Sequence, residues 1–182
     1  EKAVLAYADA AGERKEVQLG AYQTDFVTKG AETFQVVYVG KGGEKDYADK
    51  DVTGKIVLAE INQRDEWWIN FPVYQAHEKG AKALIAVQIG GYGQVDEKAL
   101  NAQDIAGPPE AAAFSMSFED SEKLKACLDE KGEITVTLDA SSRVMRDVST
   151  YNILGEIPGR RSDRMILLSA HYDSYFSGFQ DD

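Results

Sequence analysis

The chain has 182 residues, a formal net charge of −11 and 43% hydrophobic residues. The hydrophobic share suffices for a folded core, and the length suits one domain, or one domain and part of another. The acidic balance argues against nucleic-acid binding, because the basic stripe that such binding requires is missing. The single cysteine, Cys127, excludes an intrachain disulfide, and no apolar run reaches transmembrane length.

The first third of the chain predicts mainly β-strands. Residues 3–7, 16–19 and 33–39 are rich in β-branched, aromatic and aliphatic side chains. Residues 41–54 are polar and predict a loop. The apolar segment 55–61 then predicts a buried strand.

A crossover unit is predicted in the middle of the chain. A helix over 71–79, stopped by Gly80, precedes an apolar strand over 82–89. The order strand, helix, strand predicts that the two strands are parallel. The following stretch, 90–109, is long and lacks periodicity, which is typical of a functional or mobile loop.

A second helix is predicted after a short strand over 112–116. Ser117 stands immediately before the helix, and Asp120 follows three positions later, as in an N-cap with an acidic first turn. The helix begins at Phe118, and Gly132 is its predicted end.

The segments after this helix also read as strands. Residues 133–138 alternate apolar and polar side chains, which predicts a half-exposed strand, and 143–150 continue a similar pattern. A strand with a turn is predicted over 152–159, followed by a charged hairpin loop over 160–164. Residues 165–170 are apolar on both faces, so the strand predicted there needs cover from two layers.

A possible metal site follows this last strand. His171 and Asp173 are separated by one residue, so on an extended backbone their side chains point to the same face. A histidine that binds zinc often donates its other ring N–H to a carboxylate, which fixes the tautomer. Asp181 would arrive from the loop as a second ligand. The alternative is a solvent-exposed histidine at a strand end with acidic loop residues nearby.

Three elements in this region carry a family resemblance. They are residues 151–159 (YNILGEIPG), 166–174 (ILLSAHYDS) and 178–182 (GFQDD). Together they resemble the opening of the catalytic domain in the co-catalytic zinc aminopeptidases. That family includes bacterial secreted aminopeptidases and the glutamate carboxypeptidase and transferrin receptor relatives.

The resemblance implies a role for each candidate residue. His171 would bind one zinc ion, Asp181 would bridge two zinc ions, and Asp173 would orient His171. The family's remaining metal ligands and its general-base glutamate lie beyond Asp182. We therefore expect a chain that stops inside the catalytic domain, with no peptidase activity and at best weak zinc binding, because catalytic zinc needs three protein ligands. The other histidine, His77, is interpreted as a surface or helix-end residue.

The upstream part resembles a protease-associated domain, an insert that many of these enzymes carry. The matching segments are 51–58, 76–85 and 113–124. The predicted fold is therefore α/β (mixed α+β). Residues 1–148, of which 1–32 are a β-rich N-terminal part, form a protease-associated domain with a sheet or open barrel flanked by two helices. Residues 149–182 provide the first strands of a truncated α/β zinc-peptidase domain.

Three functions are compatible with these observations. The first is a fragment of a zinc aminopeptidase, whose partners are a peptide substrate and the rest of the catalytic domain, in an extracellular or cell-envelope location. The second is a stand-alone protein- or peptide-binding module without a catalytic role. The third is an unrelated α/β ligand-binding domain in which the His171–Asp173 spacing is accidental.

Overall fold

The structure of the protein is a computed structural model that describes most of the chain. It describes residues 2–21, 24–62, 64, 70–91, 96–100, 111–145, 147–161 and 163–170, and of Lys131 only the backbone. The chain divides into two compact units, Glu1–Val144 and Met145–Asp182. The assignment of 1–148 and 149–182 to two particular domains stays a prediction.

The first unit contains strands and helices close to the predicted segments. In chain order they are β1 (Lys2–Ala8), β2 (Arg14–Gln18), β3 (Phe26–Val27), β4 (Glu32–Tyr38), a 3₁₀ helix (Glu44–Tyr47), β5 (Ile56–Asn62), α1 (Asn70–Glu78), β6 (Ala83–Gly90), β7 (Ala113–Ser115), α2 (Phe118–Lys131) and β8 (Glu133–Ser142). The predicted α/β class, with a sheet and two helices in the described residues, is confirmed.

Two short elements escape prediction, and one predicted strand is absent. Strand β3 has two residues, too few to show a period, and the 3₁₀ helix lies inside the predicted loop 41–54. The strand predicted over 143–150 is wrong: residues 143–145 and 147–150 form none. Strand β8 instead extends to Ser142, where its pairing with β3 stops.

All of these strands join one mixed sheet. The strands of the described residues form an eight-stranded sheet in the order β2-β1-β8-β4-β5-β6-β7, and β3 also pairs with β8. The pairs β4–β5, β5–β6 and β6–β7 are parallel, whereas β8 pairs antiparallel with β1, β3 and β4. Helix α1 connects β5 to β6, so the predicted parallel crossover is confirmed.

The two edges of the sheet, at β2 and β7, are connected through the segment that follows β2. The amide of Gly20 donates to the carbonyl of Ser115 at 2.9 Å, and the amide of Ser115 donates back at 2.8 Å. Nearby, the buried hydroxyl of Thr24 donates to the carbonyl of Ala113 and accepts from its amide at 3.1 Å. The sheet thus closes into a barrel. The sequence had allowed either a sheet or an open barrel.

Each face of the parallel strands packs against one helix. Leu58 of β5 belongs to the same buried cluster as Leu124 of α2. Its neighbour Val57 points to the other face and shares a cluster with Val73 of α1. Leu58, Val57 and Leu124 are fully buried, and each such side chain contributes about 1.5–3 kcal/mol relative to an exposed one.

The loop after β4 approaches α1 closely at a glycine. Gly42 has a φ of +72°, and a Cβ placed there would lie 2.9 Å from Cβ of Pro72 and 3.3 Å from Cβ of Ala59. Gly54 has a similar φ of +71°, but no atom lies within 4 Å of its Cβ position. The loop at Gly42 therefore depends on the missing side chain as well as on the backbone conformation.

Helix α2 begins and ends where the sequence predicts. The hydroxyl oxygen of Ser117 accepts from the amide of Asp120 at 3.2 Å and donates to its carboxylate at 2.9 Å. Gly132, with a φ of 76°, ends the helix. Among the described residues, no helix combines the length and apolar character needed to cross a membrane.

Candidate functional site

The three residues of the predicted metal site lie outside the described part of the chain. His171, Asp173 and Asp181 all fall within residues 171–182, which the structure does not describe. Across the residues that it does describe, no group of three or more His, Cys, Asp or Glu side chains could hold a metal ion. The ligand set and the role of Asp173 therefore stay predictions.

The segment that leads to His171 is described as far as residue 170. Residues 147–161 and 163–170 form no strand, so the strands predicted over 152–159 and 165–170 are wrong for this chain. The physical reason is that a strand needs a hydrogen-bonded neighbour, and the described residues provide none for this segment. The apolar side chains are exposed, with Ile166 and Leu168 each at 90%.

The charged loop predicted over 160–164 contains a bidentate ion pair. Arg161 donates from Nε at 3.0 Å and from Nη2 at 2.7 Å to the two carboxylate oxygens of Asp163. This pairing holds the pKa of the Asp163 carboxyl below its usual range. Both side chains are about 60% exposed, so the pair adds little to stability.

A charged cluster in the first unit lies where two parallel strands end, a common place for ligand sites in α/β sheets. Tyr38 ends β4, Glu60 is near the end of β5, and Lys125 projects from α2. The Tyr38 hydroxyl donates to Oε2 of Glu60 at 2.6 Å, and the Lys125 ammonium donates to Oε1 at 2.5 Å. Lys125 also donates to Glu122 at 3.1 Å and lies 5.4 Å from the centroid of the Tyr38 ring.

The electrostatics of this cluster favour a structural role. Burial, reinforced by the hydrogen bond to Glu60, raises the pKa of Tyr38 to about 12. Burial opposes the charge of Lys125, but hydrogen bonds to Glu60 and Glu122 prevail and raise its pKa. Both carboxylate oxygens of Glu60 accept a hydrogen bond from a side chain, and the bond from Lys125 links α2 to β5.

The second histidine of the chain lies away from the predicted ligands in sequence. His77 is partly exposed in the last turn of α1, in agreement with its interpretation as a helix-end residue. The position of His77 at the end of a helix therefore needs no metal to explain it.

Comparison with solved structures relates the chain to aminopeptidases. It is similar to an aminopeptidase from Aneurinibacillus sp. strain AM-1, with 27% identity and a TM-score of 0.55 over 76% of this chain and 30% of that one. The zinc aminopeptidase BSAP from Bacillus subtilis gives 20% identity and a TM-score of 0.55 over the same shares. A peptidase M28 precursor from Shewanella amazonensis SB2B gives 15% identity and a TM-score of 0.52 over 76% of this chain and 34% of that one.

The fold is shared with zinc aminopeptidases. The chain spans about a third of the length of these structures. No protein-family model and no curated protein matches its sequence. The resemblance that the sequence predicts is thus supported at the level of the aminopeptidase-like fold, while the protease-associated domain stays a prediction.

Replacing Lys125 by methionine tests whether the Glu60 cluster anchors α2. We expect Lys125→Met to lower the free energy of unfolding by about 1–2 kcal/mol, because a largely buried carboxylate loses a charged donor. Urea unfolding followed by circular dichroism measures this change.

Lys123→Met is the matched control for this substitution. Lys123 lies on the same helix and pairs with Glu119 at 2.9 Å, but its side chain is 54% exposed. We expect a smaller effect than for Lys125→Met, since exposed pairs contribute little. Equal losses in the free energy of unfolding of the two variants would show that the Glu60 cluster does not anchor α2.

Stability should fall as the pH rises from about 10 to about 12. The folded-state pKa of Tyr38, about 12, lies above the ordinary value of 10.0, so its contribution is complete below pH 10 and is lost towards pH 12. The raised pKa values of Tyr7 and Lys125 act in the same direction. Urea unfolding across this range should show a shallower decline for Tyr38→Phe than for wild type; parallel declines would contradict this assignment.

Proposed function

We propose that the chain is part of a zinc-dependent metallopeptidase of the aminopeptidase type. The observation that carries this proposal is the likeness to a solved aminopeptidase over 76% of the chain at 27% identity. The three sequence elements around His171 and Asp181 support it independently, because they lie in the segment where such an enzyme would place its first ligands.

Each candidate residue has a role that suits its chemistry. The imidazole of His171 and the carboxylate of Asp181 are donors that zinc accepts in proteins. Asp173 would accept the other ring N–H of His171 and so fix the tautomer and orientation of the ligand. In the complete enzyme, zinc would polarise the scissile carbonyl at the N-terminal residue of a peptide.

The donor types fit zinc, but their number does not. A catalytic zinc generally needs three protein ligands and a water molecule, and a two-metal site needs more. His171 and Asp181 supply two. We therefore propose that the 182-residue chain is inactive by itself and binds zinc weakly.

The first unit would be the protease-associated domain of the parent enzyme, shaping substrate access. The segment 90–109 would face the cleft; of it the structure describes residues 90–91 and 96–100. The four exposed apolar side chains of residues 165–168 support packing of this segment within a larger catalytic domain. The parent would act on peptides in an extracellular or cell-envelope location.

Zinc titration by calorimetry tests the proposed ligands on this chain. We expect weak binding that His171→Ala reduces further, because one of two donors is lost. His77→Ala, which removes the other histidine, should bind as wild type does. Tight one-to-one binding that disappears in His171→Ala would contradict the proposal that the site is incomplete.

The complete product of the gene tests the proposed activity. It should release N-terminal residues from aminoacyl substrates, and Asp173→Asn should lower this activity about 10- to 100-fold, the usual effect of losing a partner of a metal-bound histidine. The control is again His77→Ala, with unchanged activity. If the complete product bound peptides without cleaving them, the peptidase proposal would be wrong and the alternative of a binding module would be favoured.

A further inference from the structure

We propose that the barrel has a built-in opening point, formed by Gly20, Thr24, Ala113 and Ser115. These four residues are called the seam. In the open form the segment after β2 separates from β7, while the rest of the sheet stays paired. This proposal concerns the fold of the first unit and does not depend on the peptidase function.

The seam is a shorter contact than the central strand pairs of the sheet. It consists of one isolated bridge between Gly20 and Ser115 and of the contacts of the Thr24 hydroxyl with Ala113. By contrast, β5 and β6 pair in unbroken register from Ile56 to Ile61. Local opening occurs where few backbone hydrogen bonds and buried contacts must be broken.

Each side of the seam is anchored independently of the other. On one side, the Ser142 hydroxyl donates to the carbonyl of Ala21 at 3.1 Å, and the amide of Leu19 donates to the carbonyl of Ala3 at 2.9 Å. On the other side, β7 pairs along its whole length with β6. The seam can therefore part without unravelling either side.

The Ser115 hydroxyl favours the open form. Ser115 is 0% exposed, and among the described residues its Oγ has no hydrogen-bond partner. A buried hydroxyl without a partner is unfavourable, because it has given up its hydrogen bonds to water. In the open form we expect water to reach this group.

An aromatic contact opposes opening. The ring of Phe26, just after Thr24, meets the ring of Phe114 in β7 edge to face, with centroids 5.4 Å apart and an interplanar angle of 85°. Both side chains are buried, so their separation exposes apolar surface. This packing adds to the hydrogen bonds that hold the closed form, so we expect the open form to be a minor state.

Hydrogen exchange of the 182-residue chain, measured by NMR, tests the proposal. We expect the amides of Gly20 and Ser115 to have opening constants at least about tenfold larger than those of Val57 and Leu58, because the seam opens without global unfolding. If all four amides share one opening constant, the seam opens only when the whole unit unfolds, and the proposal is wrong.

Two substitutions should shift this equilibrium in opposite directions. Thr24→Val removes the hydroxyl that pairs with Ala113, so opening at Gly20 should increase about tenfold. Ser115→Ala removes the unpaired hydroxyl, so opening should decrease by several-fold. An increase in Ser115→Ala would overturn the proposal even if Thr24→Val were too unstable to study.

Thr28→Val is the matched control. Thr28 is buried, and its hydroxyl makes the same two contacts with the backbone of Ala140, at 2.8 and 3.1 Å, away from the seam. We expect this variant to lower overall stability and so to increase opening at Val57, while opening at Gly20 stays as in wild type, because the seam opens without global unfolding. An increase at Gly20 equal to the one in Thr24→Val would show that the effect is not specific to the seam.

Discussion

Strand β5 carries apolar side chains on both faces, and their burial requires a layer of structure on each side of the sheet. Helix α1 covers one face and α2 covers the other. The only charged residue of the strand, Glu60, lies near its end and binds Lys125 of α2. Apolar packing thus brings α2 to the sheet, while the ion pair fixes where along the strand the helix lies.

The second unit shows what happens to a similar apolar run without such layers. Residues 165–168 are as hydrophobic as the middle of β5, yet their side chains are 76–90% exposed and no described strand pairs with them. The physical difference lies in the surroundings, since a strand gains stability only from neighbours that satisfy its backbone and cover its side chains. This contrast supports the proposal that the segment belongs to a larger catalytic domain.

The features that sequence could predict are those with local signals. Strands of the first unit follow from β-branched and alternating patterns, and the start of α2 follows from Ser117 and its acidic first turn. The bridge between Gly20 and Ser115 and the pairing of Glu60 with Lys125 join residues far apart in the chain, so no local pattern reveals them. The candidate ligands could be proposed because their spacing in the sequence is short. Their arrangement in space depends on the tertiary structure, which the spacing does not determine.

Gly42 and Gly54 share a positive φ but not the same freedom to vary. The position of Gly54 is open, so an asparagine, which tolerates this backbone conformation better than most residues, would fit there. At Gly42 any side chain would collide with Pro72 and Ala59. The spacing between α1 and β5 therefore depends on the absence of a side chain at Gly42. Any other residue at this position would require the helix to shift.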